Sequence, residues 1–456
     1  MPREFKVLIA GGGMAGLILG QLLELAGIEY MIFEKAPRPT TLGSAMGFGP
    51  NIMPLFEQLG MLEDIAKISK LVDHTLVLDE DLNVVADIDG KAMRKKLGYG
   101  HYIFSRPDMF QLLLSRVPAH KVFFSKKILT VEEEIDKVTL KFSDNSQISG
   151  DICVGADGGY SAVRQSLYRS LKARGILPRK DMEDLTFGFY NLLGTTNPMD
   201  PAKYPALAAP DCKIELMQRT TTKHALHTFT VPGNRFCWNV TNHVQTDEGA
   251  NCTVFRNSEW GNETAQSMCN EVRDFKAPFG GTMADYIDAT PKEAISIVML
   301  EEKLFKTWYG SRTVLVGDAC HKMLPSAGQG AINAIQDAVV LANNLYDLPD
   351  RPTLKNISFC FNLYRSERYP MAKMAFQLSQ QQSKLISGQS LTDRMKRKMA
   401  FSYIPQFVQN KAMEKPNAYR PQVNFLPMVP DRGTYKVLQR RLSKRYQEEM
   451  GVSKAV

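Results

Sequence analysis

The chain lacks any uninterrupted run of about 18 apolar residues, so nothing in it reads as a helix that crosses a bilayer. Its seven cysteines include no C-x-x-C pair, which argues against structural zinc, and no C-x4-C pair, which excludes a disulfide reductase. An odd cysteine count at irregular spacing also suits a reducing compartment better than a disulfide framework. The N-terminus, "MPREFKVLIAGGGMAG", has basic residues ahead of an apolar run, but glycines interrupt that run and no small-residue cleavage site follows. We find no internal repeat and no low-complexity tract. Neither sign of charge dominates: 56 Lys and Arg face 48 Asp and Glu, for a net charge of +8. No stripe alternates basic with aromatic residues, so nucleic acid is not an expected partner. The excess sits in short clusters such as "KAMRKK", which fit solvated faces or a cleft that attracts a phosphorylated ligand. A cytoplasmic protein is expected. The C-terminal "YKVLQRRLSKRYQEEMGVSKAV" is too charged to insert in a membrane, which leaves peripheral contact with an internal membrane open.

What is present is an ordinary globular composition, 44% apolar and 23% charged, on 456 residues, a length at which one core usually gives way to two domains. The first segment reads as a strand, Lys6 to Ala10, a glycine turn, and a helix from Met14 to about Leu25 stopped by Gly27. A second apolar strand, "YMIFE", ends on Glu34. Strand, helix and strand in such short order require a parallel, right-handed crossover. "GGGMAG" sets Gly11, Gly13 and Gly16 in the G-x-G-x-x-G spacing, which serves a tight turn, close backbone approach to a pyrophosphate, and close helix–strand contact. Glu34 follows about 20 residues on, where a carboxylate accepts bonds from ribose hydroxyls and disfavours a 2′-phosphate. This unit therefore suits FAD or NAD.

Two later glycine turns favour FAD. "GADGGYSAVR", Gly155 to Arg164, again joins a strand to a helix. "GDACHKMLPSAGQG", Gly317 to Gly330, follows the β-branched run "TVLV" and precedes a helix with Ile332, Ile335, Val339 and Ala342 on one face. Its glycines thus lie at a helix N-terminus, where unpaired N–H groups attract anionic or electron-rich groups. A nicotinamide dehydrogenase needs the first unit alone, whereas the longer FAD requires a second strand end, and Asp318 is placed to supply it. Between these motifs, about 76–103 and 185–300, short alternating runs such as "HALHTFTV" and "RFCWNV" read as a mostly antiparallel sheet.

Taken together, the three motifs resemble the single-component FAD-dependent monooxygenases: 4-hydroxybenzoate hydroxylase, salicylate hydroxylase, and the fungal aromatic and meroterpenoid members of that group. The resemblance spans roughly residues 5 to 375. It implies an α/β fold: a Rossmann-like FAD-binding domain at 1–75, 104–184 and 303–375, an inserted antiparallel substrate domain at 76–103 and 185–302, and a helical then extended tail at 376–456. It further implies that Gly11, Gly13 and Gly16 approach the pyrophosphate and Glu34 the adenosine ribose, while Gly47 of "GSAMG" and Arg106 of "SRPDMFQLL" touch FAD. Asp157 and Gly158 would lie beside the pyrophosphate and take part in NADPH use. Asp318 would bind the ribityl chain, Pro325 shape the turn beside the flavin, and Gly328, Gly330 and Ala331 open the helix aimed at its pyrimidine edge. Many relatives carry Asn where this chain has Ile332, with Asn333 one step later.

The implied activity uses NADPH or NADH as a transient reductant. O2 adds at flavin C4a, and the hydroperoxide hydroxylates or epoxidises a small aromatic or isoprenoid substrate, whether phenolic, indolic or polyketide-terpenoid. Tyr190, His224 and His227 fall in the inserted sheet, and Tyr190 and His227 are taken as the catalytic candidates on the substrate side. His321 reads instead as a hydrogen-bonded structural group. Two alternatives stay open: a flavin reductase or dehydrogenase without oxygen transfer, separable by whether NAD(P)H use is coupled to O2 uptake, and a non-catalytic escort module on the same fold, separable by the absence of colour. Monomer and homodimer both fit the sequence.

Overall fold

The computed structural model describes residues 5–39, 43–219, 222, 224–243, 262–387, 414, 416–437 and 441–451. Five parallel strands form one sheet, ordered Thr313–Leu315, Ile152–Gly155, Lys6–Ala10, Glu29–Phe33 and Val122–Phe123. Val7, Leu8, Ile9, Ile152, Cys153, Val154, Val314 and Leu315 are fully buried, the unbroken apolar pattern of strands covered on both faces. Helices Met14–Leu25 and Gly330–Tyr346 pack on each other over this sheet and share its core. The strand order sets Ile152–Gly155 between Lys6–Ala10 and Thr313–Leu315, segments far apart in sequence, so the residues just after four adjacent strands share one rim.

A second, ten-stranded sheet is mostly antiparallel. Its path runs from His321–Lys322 through Ser296–Leu304, Thr186–Thr195, Arg235–His243, His224–Val231, Cys212–Gln218, Ser69–Leu78 and Tyr102–Ser105 to Ala45–Phe48, with Val84–Asp89 beside Ser69–Leu78. One internal pair, Cys212–Gln218 with Ser69–Leu78, is parallel. The strand Ser69–Leu78 begins ahead of the expected boundary at 76, and the sheet takes its two end strands from segments assigned by sequence to the cofactor unit. Side chains alternate between two environments. Leu192, Met217, Leu226, Phe236, Trp238 and Val240 build a core with Tyr286 and Ile287 of the helix Met283–Ala289. The opposite face packs Val72, Ile103, Cys212, Ile214, Val231 and Cys237 around Ala45.

The helix Leu354–Ser387 carries Pro370 and runs through the expected boundary at 376 without interruption. It presents Arg368, fully buried, to Asp337, also fully buried. Arg368 Nε donates to Asp337 Oδ1 at 2.8 Å, and its remaining nitrogens donate to Gln336 Oε1 and Asn333 Oδ1 at 3.1 and 2.8 Å. Asp337 Oδ2 accepts from the Gly317 N–H at 2.8 Å and lies 2.5 Å from His321 Nε2. Burial acts to raise the Asp337 carboxyl, but the charges of His321 and Arg368 override it and hold the group below the usual carboxylate range.

Of the expected tail, 388–413, 415, 438–440 and 452–456 lie outside the described residues. The segment 416–437 is packed on the body. Gln58 bonds both the carbonyl and the N–H of Val423, and Asn343 does the same for Gln422 and Asn424. Phe425 stacks on Tyr346 at 4.5 Å, and Arg420 donates to the Leu97 carbonyl. Among the described residues no helix is long and apolar enough to cross a membrane.

Removing one partner of a buried ion network strands the other charge. Arg368→Met is therefore expected to lower unfolding free energy by about 3–5 kcal/mol. Lys137→Met, which removes an exposed pair with Glu134, should cost roughly 0–1 kcal/mol. Urea unfolding monitored by circular dichroism measures both changes.

Candidate functional site

The rim of the parallel sheet gathers four motifs. After Lys6–Ala10 comes Gly11, with φ of +102°, where an added Cβ would meet the Ala156 carbonyl oxygen at 2.4 Å. Gly16 faces the Gly11 carbonyl so closely that a Cβ there would lie 2.0 Å from it. Both positions exclude a side chain for reasons internal to the protein. Gly13 is different: its backbone is extended, and a Cβ built on it meets nothing within 4 Å. Glu34 follows the next strand and accepts from the N–H groups of Gly12 and Ala36, each at 2.9 Å.

Beyond the third strand, Asp157 caps the helix Ala162–Ala173. Its Oδ2 accepts from Ala162 and Val163 at 2.7 and 3.2 Å, while Oδ1 is buried with no partner among the described residues. Burial raises this carboxyl above its ordinary value despite those bonds. Gly158 has φ of +81° and opens onto empty space. Arg164, one helical turn on, donates to the carbonyls of Gly159 and Ala319 at 2.6 and 2.9 Å, and so ties the second motif to the third. Sequence reading quoted this arginine within its motif but gave it no role. The third-motif residue that it reaches is known from the fold alone.

Asp318 follows the strand Thr313–Leu315. Its carboxyl is raised by desolvation, opposed by the charges of His321, Lys322 and Arg106. Arg106 begins the helix Arg106–Leu114, capped by Ser105, and its side chain lies against Gly43. Arg106 and Asp318 retain solvent-accessible surface, yet protein surrounds both closely enough for desolvation to dominate their ionisation. A group lining a deep, narrow cleft has both properties. His101 shares them: burial pushes its imidazole down to about 4, although its surface is accessible. Its ring covers Gly47, where a Cβ would lie 2.4 Å from Nε2, so Gly47 makes room for His101. No sequence signal marked His101.

The Pro325–Ala327 turn leads through Gly328, with φ of +62° and nothing within 4 Å of its Cβ position, into the helix Gly330–Tyr346. Gln329 at the N-cap supplies no side-chain bond, so the first N–H groups, Ala331 among them, carry the positive end of a 17-residue helix uncapped by a side chain. Ile332 is in the core and Asn333 turns inward to Arg368. His321 is fully buried against Asp337. Cys320, His321 and Asp337 bring three ligand-type atoms within 4.8 Å of one another, but Arg368 occupies the same carboxylate and supplies the positive charge that a cation would bring.

The other sheet bounds the cleft. Parity along its strands separates the candidate residues: Tyr190 and His224 share a face with Leu192 and Leu226, the core face. Tyr190 accepts from Asn242 Nδ2, and His224 packs on Phe275 with Glu271 3.3 Å away. His227 lies on the opposite face, with Phe229 and Val231. Thr195 and Ser44 hydrogen-bond across to Gly43 and Trp238, which fixes that face beside Arg106.

Open space at Gly13, Gly158 and Gly328, an orphaned Asp157 oxygen, an uncapped helix N-terminus and an enclosed Asp318 together fit a long ligand with a pyrophosphate, hydroxyls and an electron-rich ring edge. A family model described as FAD binding domain matches residues 4–201 and 267–377. The chain belongs to the FAD binding domain family, and its cofactor is FAD. It is 27% identical over 461 residues, covering 97% of this chain and 94% of the relative, to the FAD-dependent monooxygenase olcE of Penicillium canescens. The FAD-dependent monooxygenase paxM of Penicillium paxilli is 29% identical over 82% of this chain and 78% of its own. Among solved structures, Klebsiella pneumoniae HpxO complexed with FAD and uric acid superposes with a TM-score of 0.74 at 20% identity, covering 92% of this chain and 98% of that one. This last likeness establishes the fold.

Gly13→Val separates a cradle from a structural glycine. Because the site is open, the FAD-free variant should unfold within about 1 kcal/mol of the parent. FAD affinity should fall at least about tenfold, or 1.4 kcal/mol. Asp318→Ala should likewise weaken FAD binding by about 1.5–3 kcal/mol, the worth of a hydrogen bond to a charged group. Fluorescence titration of the flavin and thermal denaturation of the FAD-free forms measure the two quantities independently.

Proposed function

We infer that this chain is an FAD-dependent monooxygenase that consumes NAD(P)H and O2 and places one oxygen atom on a small, electron-rich organic molecule. The observation that carries the reading is the convergence of three separated glycine motifs on one sheet rim, where Arg106 and Asp318 are surrounded by protein yet keep accessible surface. The family match and the relatives' shared description as FAD-dependent monooxygenases support it. For a hydroxylation the balance is substrate C–H plus O2, NAD(P)H and a proton, giving C–OH, water and NAD(P)+. Bound FAD supplies the two-electron relay and the activation of O2.

In this reading Gly11, Gly13 and Gly16 admit the pyrophosphate, helped by the N-terminus of Met14–Leu25. Glu34, its carboxylate already aimed by Gly12 and Ala36, meets the adenosine ribose. Asp157 and Gly158 flank the pyrophosphate, and Asp318, with Arg106 opposite, takes the ribityl hydroxyls. Gly328, Gly330 and Ala331 direct helix N–H groups to the ring edge that becomes anionic on reduction, with Pro325 fixing the turn. Gly47 acts through His101, which it seats at the cleft. The substrate-side role passes to His227, since Tyr190 projects to the far face. The helix Leu354–Ser387 lies against both the Pro325–Ala327 turn and the strand His224–Val231, and so screens the cleft from water.

Purified protein should be yellow, with flavin absorbance that survives gel filtration. A screen of phenols, indoles and prenylated aromatics for stimulated NADPH and NADH oxidation should find a compound that couples reductant and O2 use in equal amounts and gains one oxygen by mass spectrometry. Reductant oxidation without oxygen transfer for every compound would support the reductase alternative, and a colourless protein the escort alternative.

A further inference from the structure

On the His227 face of the ten-stranded sheet apolar side chains alternate with polar ones that are paired, such as Asn191 with Thr241 and Arg235 with Asp108. Register places Leu193, Asn239, His227 and Leu216 in one row across four adjacent strands. Asn239 and His227 are directly opposed cross-strand neighbours, a relation that sets Cβ atoms about 4.5–5.5 Å apart on one face. Phe229 and Leu216, in the same layer, pack with Val231 and Cys237. Two polar side chains thus sit side by side among Leu193, Leu216 and Phe229.

Neither is satisfied. His227 Nε2 and Asn239 Oδ1 are both buried and have no hydrogen-bond partner among the described residues. An unpaired buried polar group costs about 1–3 kcal/mol, and two adjacent ones in an otherwise packed sheet need an explanation. The sheet's own needs do not supply it: Thr241, two residues along, satisfies Asn191, and Thr230 serves the Lys213 N–H and the Cys212 thiol through its side chain and carbonyl. A ligand oxygen would.

The charge state narrows the ligand. Burial pushes the His227 imidazole down to about 4, so it is neutral near pH 7, and among the described residues no carboxylate offsets that effect. The cation on the same face of the Asn239 strand, Arg235, is bonded to Asp108 at 2.7 Å and is not offered to the cleft centre. A neutral imidazole beside a carboxamide oxygen can donate to and accept from one hydroxyl, but it gives a carboxylate no counter-charge.

We propose that the His227–Asn239 pair is the polar recognition point of the substrate pocket, hydrogen-bonding a single uncharged hydroxyl of an otherwise apolar cyclic substrate. This rests on the monooxygenase reading and deepens it by naming the substrate class. Both residues are recognition groups that orient the molecule, whose apolar body lies along Leu193, Leu216 and Phe229.

Three matched probes test the idea: naphthalene, 2-naphthol and 2-naphthoate. Binding is read in two ways, from perturbation of the flavin visible spectrum and from the probes' own fluorescence, which does not depend on FAD. The wild-type holoprotein should bind 2-naphthol at least about tenfold more tightly than either of the others, one satisfied hydrogen bond's worth. In His227→Leu and in Asn239→Leu, 2-naphthol and naphthalene should bind within about twofold of each other, while flavin absorbance shows that each variant is folded and loaded. His227→Gln should restore part of the preference. Preference for naphthol that persists in both leucine variants, preference for the carboxylate, or failure of all three probes to bind overturns the proposal. A colourless wild-type protein instead overturns the monooxygenase reading, and naphthol fluorescence still decides whether the pair recognises an oxygen.

Discussion

The Asp337 carboxylate is the constraint on which the late motif depends. One of its oxygens receives the Gly317 N–H and His321, the other Arg368, and all three side chains are removed from water. Gly317 immediately precedes Asp318, and His321 opens the two-residue strand that pairs with Ser296–Leu304. A single buried acid therefore sets the loop that carries Asp318, the start of the helix Gly330–Tyr346, and one edge of the second sheet. Its position comes from helix geometry: Asn333, Gln336 and Asp337 are three and four residues apart and meet Arg368 from one side. The arrangement costs desolvation and is recovered through several charge-assisted bonds at once, which makes it a means of fixing geometry more than a source of stability.

From that anchor the motifs are linked by a chain of specific contacts. Arg164 joins the second motif to Ala319 of the third, the Ala156 N–H joins the second strand end to Ala10, and the Gly11 N–H reaches Phe33 beside Glu34. Displacement of one motif is thus felt by the others. The glycines divide accordingly. Gly11 and Gly16 are required by protein neighbours, whereas Gly13, Gly158 and Gly328 border space that the protein does not fill. Gly13 is the best guide to a ligand, because neither a neighbour nor its φ calls for glycine there, whereas the positive φ of Gly158 and Gly328 already does.

Much of this was legible in the sequence for a simple reason. Four of the five parallel strands are short apolar runs that end in glycine or an acid, so Glu34, Asp157 and Asp318 could be placed at strand ends without knowing which strands are neighbours. Their adjacency follows from fold class, once the three motifs had indicated it. The extent of the second sheet was less legible. Ser69–Leu78 belongs to it along its full length, but the half-buried side chains of this strand blur the alternation at its start. The tail segment 416–437 has no periodicity because its backbone is held by the amides of Gln58 and Asn343, partners hundreds of residues away or on another helix.

Residue parity shows where sequence reading ends on the substrate side. Period-two alternation assigns Tyr190 and Leu192 to one face and His224 and Leu226 likewise, but it does not say which face meets the cofactor. The proposed orientation rests on Ser44, Thr195 and Ala45, which dock the His227 face onto the segment carrying Arg106. Asn239 gains interest solely through register: one residue along, it would have joined Trp238 and Val240 in the core. Cofactor chemistry in this molecule is written in local motifs, where a few consecutive residues make a turn. Substrate choice is written across strands, in pairs that become neighbours after the sheet has formed, and a cavity wall assembled in that way can change its polar positions while leaving every cofactor motif intact.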